Sequence, residues 1–223
     1  MQLSFNFPFQ DKYLLEDFIV SNCNQVAFEF IKNYRLDNEN LPRIFAIIAP
    51  ELAGKTYLAN IWQKELSAEF LNLKDLEDIN LVKFIQPKKC YIIEDIDEIK
   101  NQELLLEIFN IIQEKHSFLM LTSSVNLNRL GLKIKDLNSR LKNVFELKII
   151  KPDDDFIKML LIKNFAVKQL KVGDKVVNFL AKNLHRSFGV IFDIVKLLEF
   201  YSLEEKRRIT ILLAKEVLKI SSN

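Results

Sequence analysis

Residues 44–56, IFAIIAPELAGKT, join an apolar run to a turn and then to a Gly-Lys-Thr that opens a helix. The apolar run predicts a buried β-strand over Arg43–Ile48, and the turn leads into a predicted helix over Gly54–Leu66. In loops built this way, backbone N–H groups and the helix amino terminus face a phosphate chain. The lysine neutralises the phosphates and the hydroxyl residue holds Mg²⁺, which are the roles that the pattern gives Lys55 and Thr56.

The loop departs from the P-loop pattern G-x-x-x-x-G-K-[ST] at several positions. Ala49 stands where the pattern has its first glycine, and Glu51 adds a negative charge close to the expected phosphates. Leu52 lies at the loop apex, where a positive φ would cost about 1–2 kcal/mol. We therefore expect ADP or ATP with Mg²⁺ to bind with reduced affinity, and intrinsic ATP hydrolysis to be weak or absent. The predicted nucleotide-binding residues of the loop are Pro50, Glu51, Leu52, Ala53, Gly54, Lys55, Thr56 and Tyr57.

Composition limits the class of protein. The chain has 223 residues, which suits one domain with a small companion domain. Its net charge of +2 gives no global basic footprint for nucleic acid, so any DNA contact should be local or made through a partner. Cys23 and Cys90 are predicted to be buried free thiols rather than a disulfide. The apolar runs are far shorter than the ~20 residues of a membrane span, and we see no signal peptide, which predicts a cytoplasmic protein.

Strands and helices alternate along the first two thirds of the chain. Buried strands are predicted at Cys90–Ile93, Ser117–Thr122 and Val144–Ile149, with a short strand at Ala68–Leu73 and a helix at Asn101–Lys115. This alternation predicts an α/β fold, a parallel sheet with helices on both faces. Ligands of such sheets bind at the carboxyl ends of the strands.

Polar side chains follow two of these strands at their carboxyl ends. In P-loop ATPases an acid at the position of Glu94 or Asp95 holds Mg²⁺, and its neighbour orients the attacking water. Ser123 and Ser124 end the next strand and are candidates to contact the terminal phosphate or that water. We assign Thr56 and Glu94 to the metal, and Asp95 and Ser124 to catalysis. The alternatives are an acidic helix start for the carboxylates and an ordinary turn for the serines.

After Pro152 the pattern becomes purely helical. Asp153 is predicted as the N-cap of a helix that continues through Phe165, with Asp154 and Asp155 in its first turn. Three more helices are predicted over Asp174–Leu184, Gly189–Tyr201 and Leu203–Ile220.

Six segments resemble the AAA+ initiator family, in the branch that contains DnaA and Hda, and they occur in the family's order. The resemblance implies a nucleotide-binding AAA+ core over residues 11–150 and a helical lid over 151–223. It also implies an adenine pocket near Asp17, Phe18, Ile19 and Val20. The segments are EDFIVSNCNQ (16–25), IIAPELAGKTYLANIW (47–62), YIIEDID (91–97), LTSSV (121–125), DLNSRL (136–141) and KPDDD (151–155).

By the same resemblance Arg140 is an arginine finger, a residue that reaches the ATP of a neighbouring subunit. From the residues alone, the alternative is an arginine that forms a salt bridge on a helix. In the lid, Gly189 stands where the family has a sensor arginine, and Arg186 is the nearby substitute.

Hda-like proteins begin with a short peptide that binds the replication sliding clamp, and residues 1–10 are predicted to be such a segment. Gln2 would hydrogen-bond a pocket rim, Ser4 would follow in the peptide, and Leu3 with Phe5 or Phe7 would fill an apolar groove. A first β-strand or a simple hydrophobic anchor is the alternative. We find no counterpart of the initiator's helix-turn-helix domain, which favours an Hda-like protein.

Three functions therefore remain open from the sequence. The preferred hypothesis is an Hda-like regulator of replication initiation that binds the sliding clamp and promotes hydrolysis of DnaA-bound ATP in trans. It requires no sequence-specific DNA binding and no membrane, and it leaves open whether the chain forms a homo-oligomer. The others are a degenerate AAA+ interaction scaffold without nucleotide turnover and an ATPase of the helicase-loader type.

Overall fold

The computed structural model describes residues 13–76 and 80–221, so the predicted clamp segment lies outside the described residues. Five strands form one sheet in which every pairing is parallel. They are β1 (Ile44–Ile48), β2 (Glu69–Phe70), β3 (Cys90–Ile93), β4 (Phe118–Ser123) and β5 (Phe145–Lys148). Their order across the sheet is β2-β3-β4-β1-β5.

Strand β1 lies between β4 and β5, so both of its edges are paired. Ile48 is in register with Ser123 on one side and with Lys148 on the other. Because the strands are parallel, the carboxyl ends of β1, β3 and β4 lie at the same edge of the sheet. The loop predicted to bind phosphate begins at that edge.

Helices cover both faces of the sheet, which confirms the predicted α/β class. Alternate residues of β1 point to opposite faces. Phe45 and Ile47 pack into one core with Trp62, whereas Ala46 and Ile48 pack into a second core. The helices of this part are α1 (Gln25–Asn33), α2 (Lys55–Leu66), α3 (Leu81–Phe84), α4 (Gln102–Glu114) and α5 (Lys135–Lys142).

The chain after β5 forms a helical bundle with its own core. Asp153 caps the first of these helices as predicted, because its carboxylate accepts a hydrogen bond from the N–H of Phe156 at 2.7 Å. The rings of Phe156 and Phe188 meet at 5.7 Å and belong to the core beneath the sheet, which attaches the bundle to it. The bundle consists of α6 (Asp154–Val167), α7 (Asp174–Asn183), α8 (Phe188–Glu204) and α9 (Ile211–Ser221).

Two predicted elements have different limits in the structure. The helix predicted over Leu203–Ile220 is wrong at its start, since α8 continues to Glu204 and α9 begins only at Ile211. Between them Lys206 has a φ of +50°, which breaks the helix so that the chain can turn back against α8. The strand predicted over Ala68–Leu73 is reduced to two residues at the edge of the sheet.

Both cysteines are free and buried, as predicted. Burial raises the pKa of Cys23, and it raises the pKa of Cys90 to about 12, so neither thiol ionises readily near neutral pH. Among the helices of the described ranges, none is long and apolar enough to cross a membrane.

Candidate nucleotide-binding site

The turn between β1 and α2 is the predicted phosphate-binding loop, and two of its residues have left-handed backbone conformations. Gly54, immediately before α2, has a φ of +98°, a backbone conformation that residues other than glycine rarely adopt. Leu52, at the loop apex, does have a positive φ, of +59°, and 61% of its surface is exposed. The loop therefore keeps its shape with a leucine at a strained position.

Lys55 is buried at the centre of this site, with only 7% of its surface exposed. Its ammonium group donates to the carbonyl of Ala49 at 3.2 Å and to the hydroxyl of Ser124 at 2.9 Å. A carboxylate oxygen of Asp95 lies 3.8 Å away. The ammonium group thus joins the ends of β1, β3 and β4.

Thr56 and Glu94 meet beside it. The Thr56 hydroxyl donates to a carboxylate oxygen of Glu94 at 2.6 Å. Hydroxyl and carboxylate oxygens are the ligands that Mg²⁺ prefers, and the ion takes its remaining ligands from phosphates and water. These two side chains therefore fit the metal position that the sequence predicted for them.

Two side chains that were not predicted as site residues, Thr122 and Asp97, hold the strand ends in place. The Thr122 hydroxyl accepts a hydrogen bond from the N–H of Asp95 at 2.9 Å, and Asp95 itself has a φ of +48°. The carboxylate of Asp97 accepts from the N–H of Ser124 at 3.0 Å. A threonine inside an otherwise apolar strand was the signal for the first of these contacts.

The two serines that end β4 have different environments. Ser123 is buried, and its hydroxyl donates to the carbonyl of Val125 at 2.7 Å, which closes the turn after the strand. Ser124 instead contacts Lys55. Of the two candidates, Ser124 is the one placed in the site.

An aromatic cluster lies against the other side of the loop. The ring of Phe18 stacks on Phe28 at 5.4 Å and contacts Tyr57 at 5.3 Å. A Cβ atom added to Gly54 would lie 3.0 Å from the Phe18 ring, so the ring fills the space that the glycine leaves. Burial raises the pKa of Tyr57, whose hydroxyl donates to the carbonyl of Leu14 at 2.8 Å.

The segment predicted near an adenine therefore runs past the phosphate-binding loop. Ile19 and Val20 pack on the core of the sheet, and the Ile19 carbonyl accepts from the Asn24 amide at 2.8 Å. The carbonyl of Asp17 accepts a hydrogen bond from Lys163 of α6, so this segment also touches the lid.

The lid reaches the loop at Gly189, near the start of α8. A Cβ atom at this glycine would lie 3.9 Å from the Leu52 side chain. Arg186 donates to Asp154 in the first turn of α6 at 3.0 Å, and its predicted contact with phosphate stays a prediction. Leucine from the loop and glycine from the lid thus face each other.

Arg140 lies beyond the amino ends of the strands, at the opposite end of the sheet from the loop. Its guanidinium group donates to Asp136 at 3.1 Å and to Gln113 at 2.7 Å, so the salt-bridge alternative describes part of its environment. With Arg43, Ile44, Ser117 and Val144 it lines a cavity of about 410 Å³. Those residues stand at the amino ends of β1, β4 and β5, whereas Lys55 lies beyond their carboxyl ends.

Replacing Gly54 by alanine tests how closely the aromatic cluster holds the loop. Gly131 is the matched control, because its φ of +62° is also left-handed but nothing lies within 4 Å of an added Cβ. Both substitutions should cost on the order of 1 kcal/mol in backbone strain. We expect Gly54→Ala to cost about 1–3 kcal/mol more in the free energy of unfolding by urea, since the Cβ overpacks against Phe18. Equal losses for the two variants would contradict this packing.

Comparison with known proteins agrees with the arrangement described above. Residues 153–218 match the family described as the Hda lid domain. Domain III of the replication initiation protein DnaA from Thermotoga maritima has the same fold, with a TM-score of 0.74, 18% identity and coverage of 96% of this chain and 98% of that chain. AMPPCP-bound DnaA from Aquifex aeolicus superposes with a TM-score of 0.68 and 21% identity over 87% of this chain and 67% of that chain.

A curated relative from Haemophilus influenzae is an uncharacterized protein, 24% identical over 190 residues, or 79% of this chain and 81% of the relative. The comparisons support the fold class and the lid without reference to the residues of the site. Residues 153–218 thus match the Hda lid domain, and the chain as a whole has the fold of domain III of DnaA.

Proposed function

We propose that this chain is an Hda-like regulator of replication initiation, which binds the DNA sliding clamp and promotes hydrolysis of ATP bound to DnaA. The observation that carries the proposal is the separation of Arg140 from the chain's own phosphate-binding loop. An arginine in this place is available to the nucleotide of a second protein.

The separation follows from the direction of the strands. Strand β1 has five residues, with Arg140 near its amino end and the loop following its carboxyl end. At about 3.3 Å per residue this is at least about 13 Å, beyond the reach of an arginine side chain. Asp136 and Gln113 hold the guanidinium group at the surface of α5, with 27% of the Arg140 side chain exposed. An arginine supplied in trans stabilises the charge that develops during phosphoryl transfer.

The chain's own loop would hold ADP or ATP. The support is the backbone at Gly54, the buried Lys55 and the convergence of Thr56 with Glu94, and the DnaA of Aquifex aeolicus was solved with AMPPCP bound. Mg²⁺ held by Thr56 and Glu94 would neutralise charge on the phosphates. Asp95 and Ser124 would orient water and the terminal phosphate.

Turnover of this nucleotide should be slow. Glu51 adds negative charge beside the phosphates, and Gly189 supplies no cation where the family has a sensor arginine. In this proposal the nucleotide of the chain serves to order the loop and the lid, and the hydrolysed ATP belongs to DnaA.

A degenerate AAA+ scaffold is the second candidate, and one observation favours it. Where the lid comes nearest the loop apex, Gly189 faces the Leu52 side chain and offers no cation to a phosphate. At the same time the ammonium group of Lys55 already has three oxygen partners within the protein. Such a scaffold would bind its partners equally well with and without nucleotide.

Arg140→Ala tests the trans mechanism. Stimulated hydrolysis of DnaA-bound ATP should fall to the basal rate of DnaA, because an arginine finger contributes about 10³-fold or more. Lys142→Ala is the control, since it removes one exposed positive charge from the same helix. The measurement is release of radiolabelled phosphate in the presence of clamp loaded on DNA. Stimulation that survives Arg140→Ala would exclude the assigned role.

Replacement of Gln2 and Leu3 by alanine tests clamp binding. The double variant should lose retention on immobilised sliding clamp and keep the melting temperature of the parent within about 1 °C, since both residues precede in sequence the segments that form the sheet and the bundle. The same retention assay with and without ADP separates the two candidates, because the scaffold requires no difference. Full retention of the double variant on the clamp would refute the docking role.

A further inference from the structure

Two turns of the helical lid form a cleft whose charged lining residues are all basic. It has a volume of about 680 Å³ and lies where the turn after α6 meets the turn between α8 and α9. We call it the lid cleft. Its polar and charged lining consists of Lys171, Gly173, Ser202, Lys206, Arg207, Arg208 and Thr210.

The positive charge of the lid cleft is largely uncompensated. Arg207 is paired with Glu205 and Glu216. Lys171, Lys206 and Arg208 are exposed, and no carboxylate of the described ranges pairs with any of them. Three cations without a carboxylate partner in the described ranges therefore face one cleft, and Glu205 and Glu216 are engaged by Arg207.

The charge of the chain is unevenly distributed, and the part that contains the lid cleft is the positive one. Residues 153–223 contain 13 Lys and Arg against 9 Asp and Glu, a net charge of +4. The whole chain has a net charge of +2, so residues 1–152 have a net charge of −2. Uneven charge of this kind is typical of a local polyanion site rather than of a uniformly basic protein.

We propose that the lid cleft binds the phosphate backbone of DNA without reading its sequence. A phosphodiester chain is narrow enough to enter a cleft, whereas a membrane surface would meet protruding residues first. Lysine supplies a mobile point charge and arginine a fork of donors that matches a phosphate. Contacts of this kind position a protein on DNA and carry no sequence information.

This site is separate from the phosphate-binding loop, and its test does not depend on bound nucleotide. It would let the lid contact DNA directly.

The test is fluorescence anisotropy of the full-length protein with a labelled 20-base-pair duplex of arbitrary sequence, over a range of salt concentrations. For three phosphate contacts, the logarithm of the association constant should fall with the logarithm of salt concentration with a slope of about −3. The double variant Lys206→Gln with Arg208→Gln should bind at least tenfold more weakly at 50 mM salt, with a slope shallower by about two.

Lys83→Gln with Lys182→Gln is the control, because it removes the same charge from exposed lysines outside the lid cleft. It should bind within twofold of the parent with an unchanged slope, and all three proteins should melt at the same temperature. The proposal fails if the parent does not bind the duplex at 50 mM salt, or if both double variants lose affinity equally. Binding of the parent to phosphatidylglycerol vesicles in place of the duplex would also overturn it.

Discussion

The buried ammonium group of Lys55 joins the parts of the site to one another. It contacts a carbonyl at the end of β1, a hydroxyl at the end of β4 and a carboxylate after β3. A buried cation of this kind is tolerated only where oxygen atoms replace its water. The strand order, in which β3, β4 and β1 are neighbours, brings those oxygen atoms to the lysine. The loop, the acidic strand end and the serine turn are therefore parts of one polar cluster.

The same sheet separates two chemical tasks. Groups suited to hold phosphates lie at the carboxyl ends of the strands, and Arg140 lies beyond their amino ends. A parallel sheet keeps these edges apart by the length of its strands. In the proposed function the chain would hold one nucleotide at one end of the strands and present Arg140 to a second nucleotide from the other end.

Much of the fold could be predicted from the sequence because apolar runs specify buried parallel strands directly. The runs around β1, β3 and β4 correspond closely to the observed strands. The limits of helices were harder to predict where the residues at the boundary are charged and exposed, because such residues occur in helices and in turns alike. The charged residues before α9 fit an exposed helix face as well as a turn, and the left-handed Lys206 has no signal in its residue type.

The roles of Lys55, Thr56 and Glu94 toward a nucleotide stay predictions, but their meeting was predictable, because each follows a parallel strand at its carboxyl end. Contacts between distant segments were not, because their partners are set by packing. Phe18 filling the space over Gly54, and Leu52 facing Gly189, depend on how the first turn and the lid fold back onto the loop.

A nucleotide-regulated protein, as opposed to a scaffold, requires that the loop at Lys55 binds nucleotide, and calorimetric titration with ADP and Mg²⁺ tests this most directly. The parent protein should show saturable binding of one ADP per chain, and Lys55→Ala should bind at least about tenfold more weakly, since the loss of one charge-assisted contact to phosphate is worth about 1.5–3 kcal/mol. An absence of heat at high ADP concentration, or equal affinity for the two proteins, would contradict it.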